Sequence, residues 1–365
     1  MNNHEKRALC ALHSVKGIGN RTLWHIKSAF GSFEKCLEAD SDQMKAINLS
    51  PEVIKEILYL KHNPEQLKEW ERIQQKGIQV ICFEDSDYPV LLRSISNPPY
   101  VLYVIGDISL TENLCVAVVG SRIATAYGKM ASRKFGLELV QNNITVVSGM
   151  ARGIDTEAQL GALEGNGHTI AVLGSGLDVV YPRENIRIFK QICETGLAVS
   201  EYPLRTPPDA GNFPARNRII SGLSKGVMVI EAMEKSGALI TVDFALEQGR
   251  DVFAVPGPIN SKNSAGTNNL IKQGAKIITS VEDVLEEYFV YNNESEFKEV
   301  KQQKLLLLDK KEEMIVECIE SQSKHFDSIL EETGLEIGTL STLLLKLEFE
   351  GIIKSLPGNS YVKMF

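Results

Sequence analysis

Short apolar runs rich in Val and Ile recur through the middle of the chain and stop at glycine or turn residues. They lie at 80–83, 115–119, 144–147, 169–173, 197–200, 227–230, 252–255 and 277–279. Helix-like stretches separate them, at 126–141, 154–164, 185–193, 238–248 and 267–272. Continuous apolar runs indicate strands that are buried on both faces, as in a parallel sheet covered by helices. The alternation predicts an α/β fold with a doubly wound parallel sheet.

Two changes in composition divide the chain. A polar, helical segment ends near Asn63-Pro64, and residues 292–303 are polar, rich in Glu and Lys, and lack an apolar period. Such a stretch is typical of a linker. We therefore predict an N-terminal helical domain at 1–65, the α/β domain at 66–291, a linker at 292–303 and a C-terminal domain at 304–365.

Both ends carry patterns of small nucleic-acid-binding modules. Gly17-Ile18-Gly19 between two helix-like segments fits a helix-hairpin-helix (SAM-like) unit, for which plain packing and weak contact with a DNA backbone are equally good interpretations. Residues 326–333, 337–350 and 352–363 predict the helix, helix and hairpin of a winged helix. Its second helix carries Lys346 against Glu348 and Glu350, which favours a structural or protein-docking role over base reading.

Composition narrows the class of protein. The six cysteines form no Cys-x-x-Cys pair, so we interpret them as reduced core residues and expect no metal site. No apolar run approaches the roughly 18 residues of a membrane span, and the first residues lack the apolar core of a signal peptide. We expect a cytoplasmic protein without membrane contact. The net charge of −8 argues against a chain coated in nucleic acid, although binding requires only a local basic patch.

Small, polar and basic residues collect where the predicted strands end. Gly120-Ser121-Arg122 follows one strand, Ser148-Gly149 leads to Arg152-Gly153 after the next, and Gly174-Ser175-Gly176 leads to Arg183 after a third. The carboxyl ends of parallel strands meet at one sheet edge, which is where such folds bind ligands. Glycine permits close backbone approach, and a helix that begins behind it directs N–H groups at an anion. The pattern predicts a phosphate-binding rim.

The rim lacks the motifs of nucleotide enzymes. Gly174-Ser175-Gly176 has Val179 where a dinucleotide motif requires its third glycine, and no segment fits a P-loop. No Gly-x-Ser-x-Gly elbow or Cys-His arrangement is present. Rim acids such as Asp155, Glu201 and Glu231 can in principle do acid–base chemistry, but we favour helix capping and pairing with arginines. We expect no catalytic residue and no cofactor.

Residues 213–225 contain three basic residues and no acid, inside a domain of net negative charge. A guanidinium matches phosphate oxygens, and Phe213 offers a ring on which a base can stack. The alternative is that the arginines of this segment pair with Glu201 or Glu231. Charge contrast alone gives nucleic acid only a slight preference.

Four motifs in order closely resemble the DNA-processing protein A (Smf) family. They are Ser148-Gly149-Met150-Ala151-Arg152-Gly153-Ile154-Asp155, Gly174-Ser175-Gly176-Leu177-Asp178 with Tyr181-Pro182-Arg183-Glu184-Asn185, Phe213-Pro214-Ala215-Arg216-Asn217-Arg218-Ile219-Ile220-Ser221-Gly222, and Glu247-Gln248-Gly249-Arg250-Asp251-Val252-Phe253-Ala254-Val255-Pro256-Gly257. The resemblance implies an extended Rossmann domain that binds single-stranded DNA, forms a homodimer and hands incoming DNA to the RecA recombinase in natural transformation.

By the same resemblance, a set of rim residues is expected to line the DNA groove. They are Gly120, Ser121, Arg122, Ser148, Gly149, Arg152, Gly153, Gly174, Ser175, Arg183, Phe213, Arg216, Asn217 and Arg218.

Two further expectations stay open. The sheet layout is similar to nucleotide-processing hydrolases of the lysine-decarboxylase-like type, but Ser236-Gly237-Ala238 and Ser264-Ala265-Gly266-Thr267 are only partial echoes of their site. A hydrolase is therefore the alternative to a non-enzymatic binding protein. For the dimer, Leu270, Ile271 and Ile277 can form an apolar patch across a two-fold axis, with burial in the subunit core as a nearly equal alternative.

Overall fold

The computed structural model describes residues 1–63, 68–289, 309–319, 324–349, 353–356 and 358–363. Two compact units result, Met1–Val284 and Leu285–Phe365. The predicted linker at 292–303 lies outside the described residues.

The first unit opens with a group of helices. They are α1 (Asn3–His13), α2 (Asn20–Phe30), α3 (Phe33–Glu38), α4 (Ser41–Ala46), α5 (Pro51–His62) and α6 (Glu69–Gln75). Polar caps define the starts of several of them: the Ser50 hydroxyl accepts the Val53 N–H ahead of Pro51, and Asp40 forms a capping box with Gln43. Leu9, Leu12 and Leu23 are fully buried in one core that also includes residues of the adjoining sheet. The predicted Gly17-Ile18-Gly19 hairpin connects α1 to α2, and Gly17 has a φ of 94°.

Nine strands form one sheet within the described residues. They are β1 (Gln79–Cys82), β2 (Val101–Gly106), β3 (Cys115–Val119), β4 (Thr145–Ser148), β5 (Thr169–Leu173), β6 (Leu197–Ser200), β7 (Gly226–Val229), β8 (Asp251–Ala254) and β9 (Lys276–Ile277). Their spatial order is β1-β2-β6-β5-β4-β3-β7-β8-β9. The strands from β3 to β9 pair in parallel, which confirms the predicted sheet.

One edge of the sheet departs from the prediction. The strand β2 was missed, although its sequence is an apolar run, and it pairs antiparallel with both β1 and β6. The run at 80–83 is therefore an antiparallel edge strand and not part of a βαβ unit. Its burial comes from the N-terminal helices, whose core includes Val80, Cys82 and Tyr103.

Helices cover the sheet as expected. They are α7 (Val90–Arg93), α8 (Ala126–Gln141), α9 (Ile154–Glu164), α10 (Ile186–Thr195), α11 (Asn212–Gly222), α12 (Gly237–Glu247) and α13 (Ala265–Lys272); a further helix, α14 (Glu282–Phe289), spans the boundary between the two units. The chain winds from β3 outward to β6 on one side and from β7 to β9 on the other. The topological switch point thus lies between β3 and β7, where doubly wound sheets open a crevice beyond their strand ends.

The second unit is small and built around its own core. Helices Lys310–Cys318, Phe326–Thr333 and Ile337–Phe349 pack against a sheet that, in the described residues, has three short strands. Ile315, Ile329 and Leu344 are buried between them. The predicted helix, helix and hairpin arrangement is confirmed. The side chains of the wing lysines, Lys354 and Lys363, lie outside the described residues.

His13 links α1 to the sheet. Its ring is 5% exposed, and Nδ1 lies 3.0 Å from the hydroxyl of Tyr103 on β2. Burial lowers the pKa of His13 to about 4. The ordinary pKa of histidine is about 6.5. Below that pH, His13 is protonated in the unfolded chain but stays neutral in the folded chain, so the free energy of unfolding falls as the pH drops towards 4.

We predict that the free energy of unfolding drops by about 2 kcal/mol between neutral pH and about pH 5 through His13 alone. Denaturant titrations at a series of pH values measure it. His13→Gln, which keeps a hydrogen-bonding group near Tyr103, removes this part of the slope, while His25→Gln on an exposed histidine leaves it in place. Equal slopes in the wild type and His13→Gln contradict the prediction.

Candidate nucleic-acid interface

A crevice of about 570 Å³ opens at the switch point. Its walls come from the loop after β3, the loop after β7 and the first turns of α11 and α12. Six of the candidate residues from the sequence line it, namely Gly120, Ser121, Arg122, Phe213, Arg216 and Asn217. The rule that ligands bind beyond the carboxyl ends of parallel strands therefore located this part of the molecule.

Two glycines, Gly120 and Gly153, allow the loop after β3 to pack closely against the segments after β7 and β4. A Cβ on Gly120 would lie 2.8 Å from the carbonyl oxygen of Glu231. Gly153 has a φ of 76°, and a Cβ on it would lie 2.3 Å from the carbonyl oxygen of Ser121. The Ser121 N–H donates to the Glu231 carbonyl at 2.8 Å, and the Ile154 N–H donates to the Ser121 carbonyl at 3.2 Å. This packing fixes the loop that carries Arg122.

Arg122 and two aromatic rings form the mouth of the crevice. The exposed Arg122 guanidinium lies 5.0 Å from the centre of the Phe213 ring, a cation–π distance. The Phe213 ring centre lies 5.5 Å from that of Tyr181, which is 38% exposed. The mouth therefore presents a positive charge and aromatic surface side by side.

The floor of the crevice carries two buried side chains of opposite charge, Arg216 and Asp155. Arg216 is 2% exposed, and its Nη1 donates to the carbonyl oxygens of Gly149, at 2.7 Å, and Val172. Asp155 is 6% exposed, and its Oδ2 accepts the N–H groups of Gly149 and Ala151 at 3.2 and 3.4 Å. Both side chains thus hold the loop after β4 in place.

Burial shifts the pKa values of Asp155 and Arg216 in the direction that favours the neutral form of each. It raises the pKa of Asp155 to about 6, although the nearby Arg216 charge opposes the rise. It lowers the pKa of Arg216 to about 10, with Asp155 opposing. At neutral pH Arg216 keeps its charge and Asp155 is mostly ionised. The floor therefore contributes little net charge, and the attraction for an anion comes from the mouth.

Arg218 points away from the crevice. Its Nη1 and Nη2 each donate at 2.6 Å to the carboxylate of Glu201, and its Nε donates to the Asn97 carbonyl at 3.0 Å. It lines another cavity, of about 670 Å³, beside the Gly17–Gly19 hairpin. The sequence left open whether Arg218 binds DNA or pairs with Glu201, and the structure shows the pair with Glu201. Its prediction as a groove residue needs this correction, because a residue two positions from Arg216 emerges on the far side of α11.

Glu231 holds the residue that caps α8. Its carboxylate accepts the Thr125 N–H at 2.9 Å and the Thr125 hydroxyl at 2.5 Å at the start of α8. The α8 N-terminus, which the rim pattern offered to a phosphate, is thus already occupied by a carboxylate of the chain itself.

The remaining candidate residues do not line the crevice. Ser148 and Ser175 are buried, and their hydroxyls donate to the Val118 and Val179 carbonyls at 2.7 Å. Arg152 pairs with Glu184 at 2.5 Å on the surface. Gly149, Gly153 and Gly174 shape the backbone, and Arg183 is exposed on a 3₁₀ turn.

The sequence prediction did not count Lys235 among the rim residues, and it related Ser236 only to a hydrolase-type site. Lys235 is exposed, and Ser236 caps α12 by accepting the Ala238 N–H at 3.3 Å. Both residues line the crevice opposite Arg122. They follow β7 at the same sheet edge, so the rule applied to the other strand ends would have found them.

Comparisons with known proteins identify the family of the chain. The profile of the family described as DNA recombination-mediator protein A matches residues 79–289. The chain belongs to this family. The resemblance drawn from the four motifs is confirmed, and the profile of the DprA winged helix domain matches residues 300–359.

Relatives in this family cover most of the chain. It is 35% identical to Protein Smf of Synechocystis sp., over 99% of each chain, and 46% identical to the DNA processing protein DprA of Streptococcus pneumoniae, over 56% of this chain and 72% of that one. The X-ray structure of the Streptococcus pneumoniae protein superposes with a TM-score of 0.66 at 35% identity, covering 77% of this chain and 97% of that one.

A DNA processing protein A from Helicobacter pylori, whose structure describes a single-stranded DNA binding mode, superposes with a TM-score of 0.53 at 32% identity. It covers 57% of this chain and 94% of that one. In the described part of the chain, no helix combines the length and apolarity needed to cross a lipid bilayer.

Proposed function

We propose that the protein binds single-stranded DNA in the crevice at the switch point and delivers it to a RecA-type recombinase during natural transformation. The observation that carries this proposal is the exposed Arg122 guanidinium 5.0 Å above the Phe213 ring. A cation beside an aromatic face suits a strand whose phosphates and bases are both accessible, which a duplex does not offer.

The remaining parts of the crevice suit the same ligand. Lys235 on the opposite wall gives a second exposed cation, and Tyr181 extends the aromatic surface. Recognition of this kind does not read base edges, so we expect binding with little sequence preference. Asp155 and Arg216 act here as positioning residues beneath the strand.

The hydrolase alternative receives less support from the geometry. Asp155 is the buried carboxylate of the crevice floor, and its Oδ2 already accepts two backbone N–H groups. A general base must reach the proton that it abstracts. We therefore expect a binding protein without catalytic activity.

Assembly into a homodimer is part of the proposal. Of the three residues predicted for its interface, Leu270 is buried, Ile271 packs against the core and Ile277 is 50% exposed. Of these three residues, Ile277 at the end of β9 therefore offers the most exposed apolar surface for a dimer interface. The family description as a recombination mediator supports the recombinase as the protein that receives the DNA.

Titration of a fluorescent oligo-dT at several salt concentrations tests the proposal. We predict that log affinity falls against log salt with a slope of about −2 to −4, as expected if about three to five phosphates are neutralised. A parallel screen of nucleoside monophosphates measures hydrolysis. Turnover of a monophosphate together with salt-independent or absent oligo-dT binding would favour the hydrolase.

A further inference from the structure

A strip of exposed apolar side chains begins at the mouth of the crevice and continues outside it. Ile123 lines the crevice and is 78% exposed. Tyr127 and Met130, on the first two turns of α8, are 45% and 65% exposed. Residues three positions apart share one face of a helix, so Tyr127 and Met130 lie next to each other. Ile123, Tyr127 and Met130 form what we call the apolar strip.

The apolar strip is held firmly. The Asn263 side chain donates to the Ile123 carbonyl at 3.0 Å, and Thr125 caps α8 by accepting the Gly128 N–H at 3.1 Å. Glu231 fixes Thr125 in turn. A surface that is apolar, exposed and rigid before binding loses little conformational entropy when a ligand covers it.

Charge identifies the class of ligand. Residues 121–137 contain four basic residues and no acid, in a chain whose net charge is −8. Arg133 is engaged with Glu157 and Glu164 of α9, and Lys134 lies 3.6 Å from Glu138 in an exposed pair. Lys129 and Arg122 are exposed on either side of Tyr127 in sequence. Exposed cations therefore lie on the same loop and helix as the apolar strip, which suits a polyanion that carries apolar rings.

We propose that the apolar strip is a base-stacking extension of the crevice, on which successive bases of single-stranded DNA rest after leaving the mouth. This inference depends on the proposed function of the crevice. Ile123 belongs to both surfaces, and residues 121–137 contain no acid that would repel a strand. A protein interface needs about 800 Å² from each partner, which three side chains do not supply.

The test compares oligo-dT of about 4 nucleotides, which fills the crevice, with one of about 16 nucleotides, which reaches the apolar strip. Tyr127→Ala should weaken binding of the long oligomer about five- to tenfold and leave the short one unchanged, since a base–aromatic stack is lost. Tyr127→Phe should restore the affinity because it keeps the ring. Val90→Ala, at a residue that is likewise 78% exposed, is the matched control.

A long strand with abasic sites in place of the bases beyond the crevice separates stacking from charge. Tyr127→Ala should not change its affinity, whereas Lys129→Ala should weaken both the normal and the abasic strand. If Tyr127→Ala and Met130→Ser leave the long oligomer bound as in the wild type, the inference is wrong. A change of oligomeric state in these variants, seen by light scattering with unchanged DNA binding, would instead assign the strip to a second copy of the chain.

The outcome also distinguishes this inference from the proposed function. Arg122→Ala tests the crevice, because it should weaken the short and the long oligomer alike. If Arg122→Ala weakens both while Tyr127→Ala weakens neither, the crevice keeps its function and only the extension fails. If Arg122→Ala has no effect on either, the proposed function itself fails.

Discussion

Replacing Arg218 with alanine should lower the free energy of unfolding by about 3–5 kcal/mol, because the variant leaves the Glu201 carboxylate buried without its partner. The two side chains are 7% and 9% exposed, and two N–H groups of Arg218 donate to Glu201 at 2.6 Å each. The same change removes the hydrogen bond to the Asn97 carbonyl. Urea unfolding followed by circular dichroism measures the loss.

The surface pair between Arg152 and Glu184 provides a matched control. Arg152→Ala removes the same kind of contact, but both partners are more than half exposed, so solvent replaces it at little cost. The double variant Arg218→Met with Glu201→Leu should recover much of the lost stability, because no unpaired charge remains buried. An Arg218→Ala protein as stable as the wild type, yet defective in oligo-dT binding, would show that Arg218 faces the DNA after all.

Loss of the crevice mouth should have the largest effect on DNA binding. The double variant Arg122→Ala with Phe213→Ala should bind oligo-dT about 100-fold more weakly, since it removes both a charge-assisted phosphate contact and a base stack. Neither change should unfold the protein, because the Arg122 side chain is exposed and Phe213 lies at the start of α11.

A double-mutant cycle refines this prediction. Because the Arg122 guanidinium rests on the Phe213 ring, each single variant should already lose part of the other's contribution, and the two effects should not add. Arg93→Ala is the control, since Arg93 lies 5.5 Å from the Phe83 ring in an equivalent contact away from the crevice. Strictly additive losses would mean that the two side chains contact the strand independently.

The strands show which features of the sheet can be predicted from the local sequence pattern. Buried parallel strands must be apolar on both faces, so β3, β5 and β6 could be delimited from sequence to the residue. The strand β2 was equally apolar, but its antiparallel pairing depends on β6, nearly 100 residues further along, as shown by the partners Val104 and Val199. No local signal carries that pairing.

The crevice followed from a topological rule, which needs only the order of strands and helices. Gly120 and Arg122 after β3 were placed correctly at the carboxyl edge, because every parallel strand ends there. The four family motifs implied a ligand class, single-stranded DNA, which charge contrast alone did not decide.

What each side chain does within that region was decided only by tertiary packing. Arg216 and Arg218 look alike in sequence, yet one supports the crevice floor and the other is neutralised by Glu201 in a different cavity. Lys235 and Tyr127 carry no motif and become notable only because the fold leaves both exposed, Lys235 within the crevice and Tyr127 on α8. The physical reason is that periodicity determines which residues form an element, whereas exposure and charge pairing depend on what distant segments place against each of its faces.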